Sequence, residues 1–429
     1  MAKEESQLEL SSDKVATAAE IVHELRRHGY SAYLVGGCVR DLLLGREAAD
    51  YDVATAATPG EVMRIFPRTY AVGAQFGVVL IPIDGDESAA ESKNYSIEVA
   101  TYRSDGAYSD GRHPDQVQFS KDAQLDVQRR DFTINGLLLD PATKEVLDYV
   151  GGRRDLEGGV VRTIGDPRQR FAEDKLRMLR AVRFAARFGY RIDPATFAAI
   201  RELAPGIHQV SRERIRDEIL KMLTEGHARR AFELLDETNL LQEVLPEVKR
   251  MQGVEQPPQY HPEGDVWVHT LMLLEGLPAG ASKPLALGVL LHDVGKPPTF
   301  RRAPDRIRFD SHAEIGTRMA EEICHRFRLS NEETEQVCTL VANHMRFADV
   351  QKMKEATLKR FFRLPRFAEH LELHRLDCLS SHRDLTLYDF AKGKYEHMPA
   401  EQIRPAPLIT GRDLIASGFN PGPHFKELL

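Results

Sequence analysis

The chain has 429 residues, 42% of them hydrophobic and 29% charged, the composition of an ordinary soluble globular protein with room for two or three domains and not of a disordered or fibrous one. A formal net charge of −7 excludes a protein that coats nucleic acid by neutralising phosphates over its whole surface, so any RNA contact must use a local basic patch. No apolar run approaches the ~20 residues of a membrane-spanning helix, the start MAKEESQLEL lacks a secretory pattern, and Cys38, Cys324, Cys338 and Cys378 have no CxxC spacing; together these predict a cytoplasmic protein with neither a disulfide framework nor a cysteine-built zinc site.

Apolar residues recur at helical spacing from Lys14 to His28, Ser31 to Val35 reads as a short strand, and Gly36-Gly37 stops it. Tyr51 to Ala54, Phe76 to Pro82 and Tyr95 to Thr101 read as further strands, with Thr58-Pro59 as a helix cap. Between Tyr102 and Gln116 the polar, glycine-bearing YRSDGAYSDGRHPDQ suits a mobile loop. After Gly165-Asp166-Pro167 the pattern turns helical, through Glu173 to Phe188, Pro194 to Leu203, Arg212 to Leu223 and Ala228 to Leu235. The Pro/Gly-rich GVEQPPQYHPEG, Gly253 to Gly264, then marks a boundary before a second helical region. The chain stops at HFKELL as another helix begins, which leaves room for it to continue past Leu429.

The first candidate site lies near the N-terminus. Two permissive glycines between a strand and a helix start let backbone N–H groups approach phosphate oxygens, and Arg40 adds a charged fork; alone, such a turn is commonly structural. Asp50 and Asp52 are two apart in a strand context, which turns both carboxylates to one face. Phosphoryl transfer uses such a pair to hold two cations ~3.5–4 Å apart beside the attacking hydroxyl and the leaving pyrophosphate. Glu98, on the strand Ile97-Glu98-Val99, is the candidate third ligand. By itself a DxD is more often an ordinary loop end.

The residues LVGGCVRDLLLG followed by DYDVAT resemble the nucleotidyltransferase superfamily, in particular the bacterial tRNA nucleotidyltransferases that add CCA and the related poly(A) polymerases. The resemblance continues in order through IEVATYRSDGAYSDGRHP, RRDFTINGLLLDP, DYVGGRRDLEGGVVRTIGDP and RFAEDKLRMLRAVRFAARFG, over roughly the first half of the chain. It implies that Gly37 and Arg40 contact the incoming nucleotide, that Asp50 and Asp52 hold Mg2+, that Arg130 contacts triphosphate or sugar, and that Asp131 supports that geometry. The polar loop matches a flexible loop of CCA-adding and A-adding relatives, with Arg103, Asp110 and Arg112 as its participants.

In the EDxxR block Asp174 and Arg177 are three apart and are expected on one face of a helix, with Arg180 and Arg183 extending the ridge. A solvated, salt-bridged helix is the commonplace reading of that pattern. The functional reading is chemical: cytosine and adenine both pair an exocyclic amine with a ring-nitrogen acceptor, so a carboxylate accepts from one while an arginine donates to the other. Guanine and uracil present the opposite pattern. The pair Asp174 and Arg177 is therefore expected to select CTP and ATP without a template, as the resemblance to the family implies.

Further on, His269, His292-Asp293, His312, His344 and Asp377 appear, the pair within the apolar run ALGVLLHDVGKPP. A His-Asp pair ending a buried helix is hard to solvate unless it binds something. Imidazoles with carboxylates suit a first-row divalent transition metal, and the set resembles the HD phosphohydrolases. By that resemblance His269, His292, Asp293 and Asp377 hold one metal, and His312 and His344 complete a second site or bind phosphate. Relatives with this appended domain hydrolyse phosphomonoesters or 2′,3′-cyclic phosphates.

The expected architecture is an α/β nucleotidyltransferase head (1–150) with a mixed sheet, an all-α neck and body (151–252), an all-α HD domain (253–400) and a tail (401–429). The expected activity is metal-dependent addition of CCA from CTP and ATP to tRNA, with no DNA or membrane partner. Two alternatives stay open: an A-adding enzyme or poly(A) polymerase, and an HD hydrolase whose head only binds RNA.

Overall fold

The computed structural model describes residues 13–71, 76–83, 95–106, 116–403 and 409–428. It divides into two compact units, Met1–Lys249 and Arg250–Leu429. The division therefore falls just ahead of the Pro/Gly-rich Gly253–Gly264 segment, and all of that segment belongs to the second unit.

The first unit is built on strands β1 (Ala32–Val35), β2 (Asp52–Thr55), β3 (Val78–Ile83), β4 (Tyr95–Thr101), β5 (Arg103–Asp105), β6 (Val117–Phe119), β7 (Leu137–Leu139) and β8 (Val146–Asp148). Six of them form one sheet in the order β3-β4-β2-β1-β7-β8. Only β2 and β4 run parallel; the other neighbours are antiparallel, so the sheet is mixed. The helix Asp13–Arg27 buries Val15, Ala18, Ile21, Val22 and Leu25, a stripe at helical spacing. A cluster of Val35, Ala54, Tyr102, Val127 and Leu138 is buried as well. β5 and β6 pair as a separate ribbon. Arg103 is therefore on a strand and not in the expected loop, while Asp110 and Arg112 lie outside the described residues.

Helical structure takes over at Pro167, but not as one continuous run. Pro167–Glu173 ends at Asp174, whose backbone is extended (φ −148°, ψ 106°), and a new helix runs Leu176–Phe188. The Asp174 carboxylate causes the break: its Oδ1 accepts from Leu176 N at 3.0 Å, a local bond that competes with helix continuation and suits a helix start. The expectation that Asp174 and Arg177 share a helix face is thus corrected. A two-stranded parallel ribbon, Val160–Val161 with Arg191–Ile192, interrupts the otherwise helical region.

In the second unit the helix Lys283–Leu291 is buried from Pro284 to Leu291, as an all-round apolar helix must be. The unit is not purely α: Phe300–Arg302 and Ile307–Phe309 form an antiparallel ribbon.

Candidate functional site

Two clusters of chemistry-bearing side chains stand out, one in each unit. In the first unit, Gly36, Gly37, Arg40, Asp50, Asp52, Arg130, Asp131, Asp174, Arg177, Arg180 and Arg183 all line one cavity of about 550 Å³, joined by Asn135 and Arg214. That volume suits a nucleotide-sized ligand.

β1 delivers the chain to Gly36, which adopts φ +80°, and a Cβ there would lie 3.2 Å from Arg130 Nη1. Only glycine takes this backbone geometry cheaply and leaves room for the guanidinium. β2 carries Asp52, while Asp50 precedes the strand, so their shared direction comes from the approach to β2 and not from strand alternation throughout. Glu98 is the register partner of Asp52 across the parallel β2–β4 pair. It is exposed and stands beside the cavity, outside its lining. Burial, then the Glu98 charge, pushes the Asp52 carboxyl up to about 6, with Arg130 pulling the other way and Asp50 adding to the rise. Asp50 and Asp52, which line the cavity, offer what a hard divalent cation takes, oxygen ligands with excess negative charge, and Glu98 is near enough to act on Asp52 through its charge.

The arginines are held, not loose. Arg40 is 4% exposed; Nε and Nη2 donate to the two oxygens of Asp41 at 2.9 and 3.0 Å, and Nη1 donates to Asn135 Oδ1 at 2.6 Å. Asn135 Nδ2 in turn donates to Asp131 Oδ1 at 3.0 Å, and Arg180 grips Asp131 Oδ2 at 2.8 and 2.6 Å. Burial opposes ionisation of Asp131, but Arg180 and Asn135 outweigh it and bring its carboxyl down to about 2. One hydrogen-bonded chain thus runs from the helix Gly37–Leu43, which follows the glycine turn, to the helix Leu176–Phe188. Arg130 donates to Asp126 Oδ2 at 3.3 and 3.0 Å.

Arg214 binds Asp174 in a bidentate fork, at 3.2 and 2.7 Å. Arg177 turns to Glu173 Oε2 at 2.7 Å and to the Arg129 and Arg170 carbonyls. Arg183 donates to Glu218 Oε2 at 2.6 Å and lies over the Phe184 ring. The sequence reading missed Asp41, Asn135, Arg214 and Glu218. Asn135 at least lies inside the RRDFTIN block; Arg214 and Glu218 carry no local signal, because their partners are some 40 and 35 residues away in the chain.

In the second unit, three triplets could hold metal, His261–Glu263–His269, His269–His292–Asp377 and Asp293–His312–His344, the ligand atoms of each within 4.8 Å of one another; the last two contain the sequence-predicted ligands. Asp293 sits between them: Oδ2 is 3.2 Å from His292 Nε2 and 3.9 Å from His269 Nε2, while Oδ1 is 3.7 Å from both His312 and His344. The expected grouping of Asp293 with the first metal is thus modified, since it faces both. His292, His312 and His344 each turn Nδ1 to a backbone carbonyl, of Val289, Phe309 and Val341, which frees each Nε2 lone pair for a cation. His292 Nε2 and both His269 nitrogens are buried without a well-formed hydrogen bond, the orphaned polar atoms that a bound cation satisfies. Burial works against a charge on His269, yet Asp377 and Glu263 lift it to about 9; a proton there balances carboxylates that a metal would otherwise neutralise. Burial pushes His344 down to about 4.

Gly295 explains the HDVGK spacing. A Cβ at that position would lie 2.1 Å from the His312 carbonyl oxygen and 2.6 Å from Gly316 N, so glycine lets the two ligand-bearing segments touch. Lys296 Nζ lies 2.6 Å from Asp293 and donates to Gln256 Oε1 at 2.5 Å.

A mixed-sheet head with a cavity of carboxylates and arginines, followed along the chain by helical regions with a histidine-aspartate centre, is the class of architecture the fold and the two clusters define. Family descriptions agree in chain order: "Poly A polymerase head domain" matches residues 32–162, "Probable RNA and SrmB- binding site of polymerase A" 189–252, and "HD domain" 265–379. The CCA-adding enzyme of Geobacillus stearothermophilus is 43% identical over 223 residues, 52% of this chain and 53% of that protein. That of Bacillus licheniformis is 37% identical over 277 residues, 63% of this chain and 67% of that protein. The match thus spans about half the length of the first of these relatives and two thirds of the second. The solved CCA-adding enzyme of Bacillus stearothermophilus in complex with CTP superposes with a TM-score of 0.68 at 27% identity, covering 97% of this chain and 91% of that one. The Thermotoga maritima CCA-adding enzyme complexed with tRNA shares the fold, with a TM-score of 0.59 at 19% identity over 98% and 90% of the two chains. The chain belongs to the family of CCA-adding enzymes and poly(A) polymerase heads. No helix among the described residues is long and apolar enough to cross a membrane.

Proposed function

We propose that the chain adds CCA to the 3′ end of tRNA in the cytoplasm, using CTP and ATP without a template. The observation that carries this reading is that Asp50 and Asp52 line the same cavity as the Gly36-Gly37 turn, Arg130, Asp174 and Arg177. Asp50 and Asp52, with Glu98 beside them, would hold Mg2+, which supplies activation of the terminal hydroxyl and charge neutralisation on the departing pyrophosphate. The Gly37 backbone, Arg40 and Arg130 bind the triphosphate, where planar guanidiniums match phosphate oxygens. Asp174 and Arg177 read the base edge, with Arg214 fixing the Asp174 carboxylate, while Arg180 and Arg183 support the recognition helix. CCA-adding enzymes solved in complex with CTP and with ATP support reading both triphosphates as substrates here.

The test is direct. A tRNA lacking CCA, incubated with CTP and ATP, should lengthen by the three missing nucleotides; an unchanged tRNA contradicts the proposal. Labelled CTP separates this reading from an A-adding enzyme, which leaves the label free.

A second activity is favoured by the paired triplets. In the second unit His269, His292, Asp293, Asp377, His312 and His344 would hold divalent metal, identity open, for hydrolysis of a phosphomonoester or cyclic phosphate. Release of phosphate that survives His292→Ala and Asp293→Ala unchanged would count against it.

A further inference from the structure

The Gly253–Gly264 segment has the composition of a linker, yet it lies against the metal-ligand histidines. Glu263 Oε1 is 2.8 Å from His269 Nδ1 and 2.9 Å from His261 Nδ1. The Glu263 side chain is 5% exposed and that of His269 0%. The other Glu263 oxygen is buried with no hydrogen-bond partner, so the cost of burying this carboxylate is offset chiefly through the two imidazoles. The His261 ring meets the His269 ring edge-on, centroids 4.9 Å apart, and closes the outer side. The arrangement is locally fixed: Gly264, at φ +77°, turns the chain, and Asp265 caps the helix Val266–Gly276 by accepting from Val268 N at 3.0 Å, so His269 falls on its first turn.

His269 differs from its neighbours in this respect. The other three imidazoles are each oriented by a neutral backbone carbonyl, whereas the Nδ1 of His269 alone faces a carboxylate, at ion-pair distance though not in a well-formed hydrogen bond. A carboxylate behind a ligand imidazole fixes the tautomer and makes the metal-facing nitrogen more basic.

We propose that Glu263 is a positioning carboxylate that makes His269–His292–Asp377 the tighter of the two metal positions. Glu263 is not itself a ligand there, because it occupies the Nδ1 side of the ring whose Nε2 faces Asp377, at 3.1 Å. The inference rests on the metal-binding reading of the second unit.

The experiment titrates the full chain, stripped of metal, with Co2+ and follows visible absorbance, using His292→Ala/Asp293→Ala to define the signal of this centre. The wild type should show two steps. Glu263→Gln should weaken the tighter step about 10- to 100-fold, leave the weaker step in place, and barely move the thermal midpoint of the metal-free protein. Glu263→Asp, which keeps the charge with shorter reach, should recover part of the loss, and it carries the test if Glu263→Gln fails to fold. An unchanged tight step, or both steps weakened alike, overturns the role of Glu263. Absence in the wild type of any signal that the double variant removes overturns the metal reading itself, and this inference with it.

Discussion

Arg214 holds both carboxylate oxygens of Asp174, at 3.2 and 2.7 Å, from a helix 40 residues further along the chain. The carboxylate proposed to read the base is thereby held between two helices, aimed by an arginine and by Leu176 N, not carried on a helix face.

Selectivity follows from that grip. Asp174→Ala should blur the choice among the four triphosphates, and Arg214→Leu should do so too, because the carboxylate loses its orientation. Loss of a hydrogen bond to a charged group costs roughly 1.5–3 kcal/mol, or about 10- to 100-fold in the ratio of kcat/KM for CTP over UTP. An unchanged ratio in Asp174→Ala would remove the residue from base recognition.

Much of this site was legible in the sequence, and the reason is local. The glycine turn, Asp52 and the Arg129–Asn135 stretch announce themselves through neighbours in the chain, and strand periodicity located β1, β2 and β4 closely. The helix break at Asp174 was hidden, because one Asp between Glu173 and Lys175 disfavours a helix interior only mildly; its local bond to Leu176 N and its pairing with a distant arginine go with the break. Glu263 went unremarked for a similar reason: its partner His269 is near in sequence, but Pro and Gly composition says nothing about which carboxylate backs which imidazole.

Asp52 makes a prediction about pH. Its folded carboxyl, raised to about 6 from an ordinary 3.8, binds its proton more tightly than the unfolded chain does. Metal-free stability should therefore fall as pH rises from near 4 to above 6, and the full penalty applies at neutral pH. Asp52→Asn removes that penalty and should stabilise the metal-free protein at pH 8 by about 2–3 kcal/mol, while Mg2+ should narrow the difference by stabilising only the wild type. Equal thermal midpoints at pH 8 without metal would contradict this.

Arg183 and Glu218 form a pair at 2.6 Å with side chains 6% and 4% exposed. Glu218→Ala should destabilise the first unit by about 3–5 kcal/mol, since it leaves a buried guanidinium short of its main counter-charge. The double replacement Arg183→Met/Glu218→Leu should cost much less. Denaturant unfolding measures both, and a single variant no worse than the double would refute the argument.

The two centres should be separable. His292→Ala and Asp293→Ala should abolish phosphate release and leave nucleotide transfer within about twofold, because the two centres share no residue. Transfer that collapses together with hydrolysis would show that the second centre serves the first.

The most direct measurement is CCA addition and tRNA binding followed side by side in Asp50→Ala and Asp52→Ala. On the proposed function these changes remove metal ligands and not RNA contacts, so transfer should fall by several orders of magnitude while tRNA affinity stays within a few-fold of wild type. Transfer that persists in Asp52→Ala, or binding lost in step with activity, would contradict the assignment of these carboxylates.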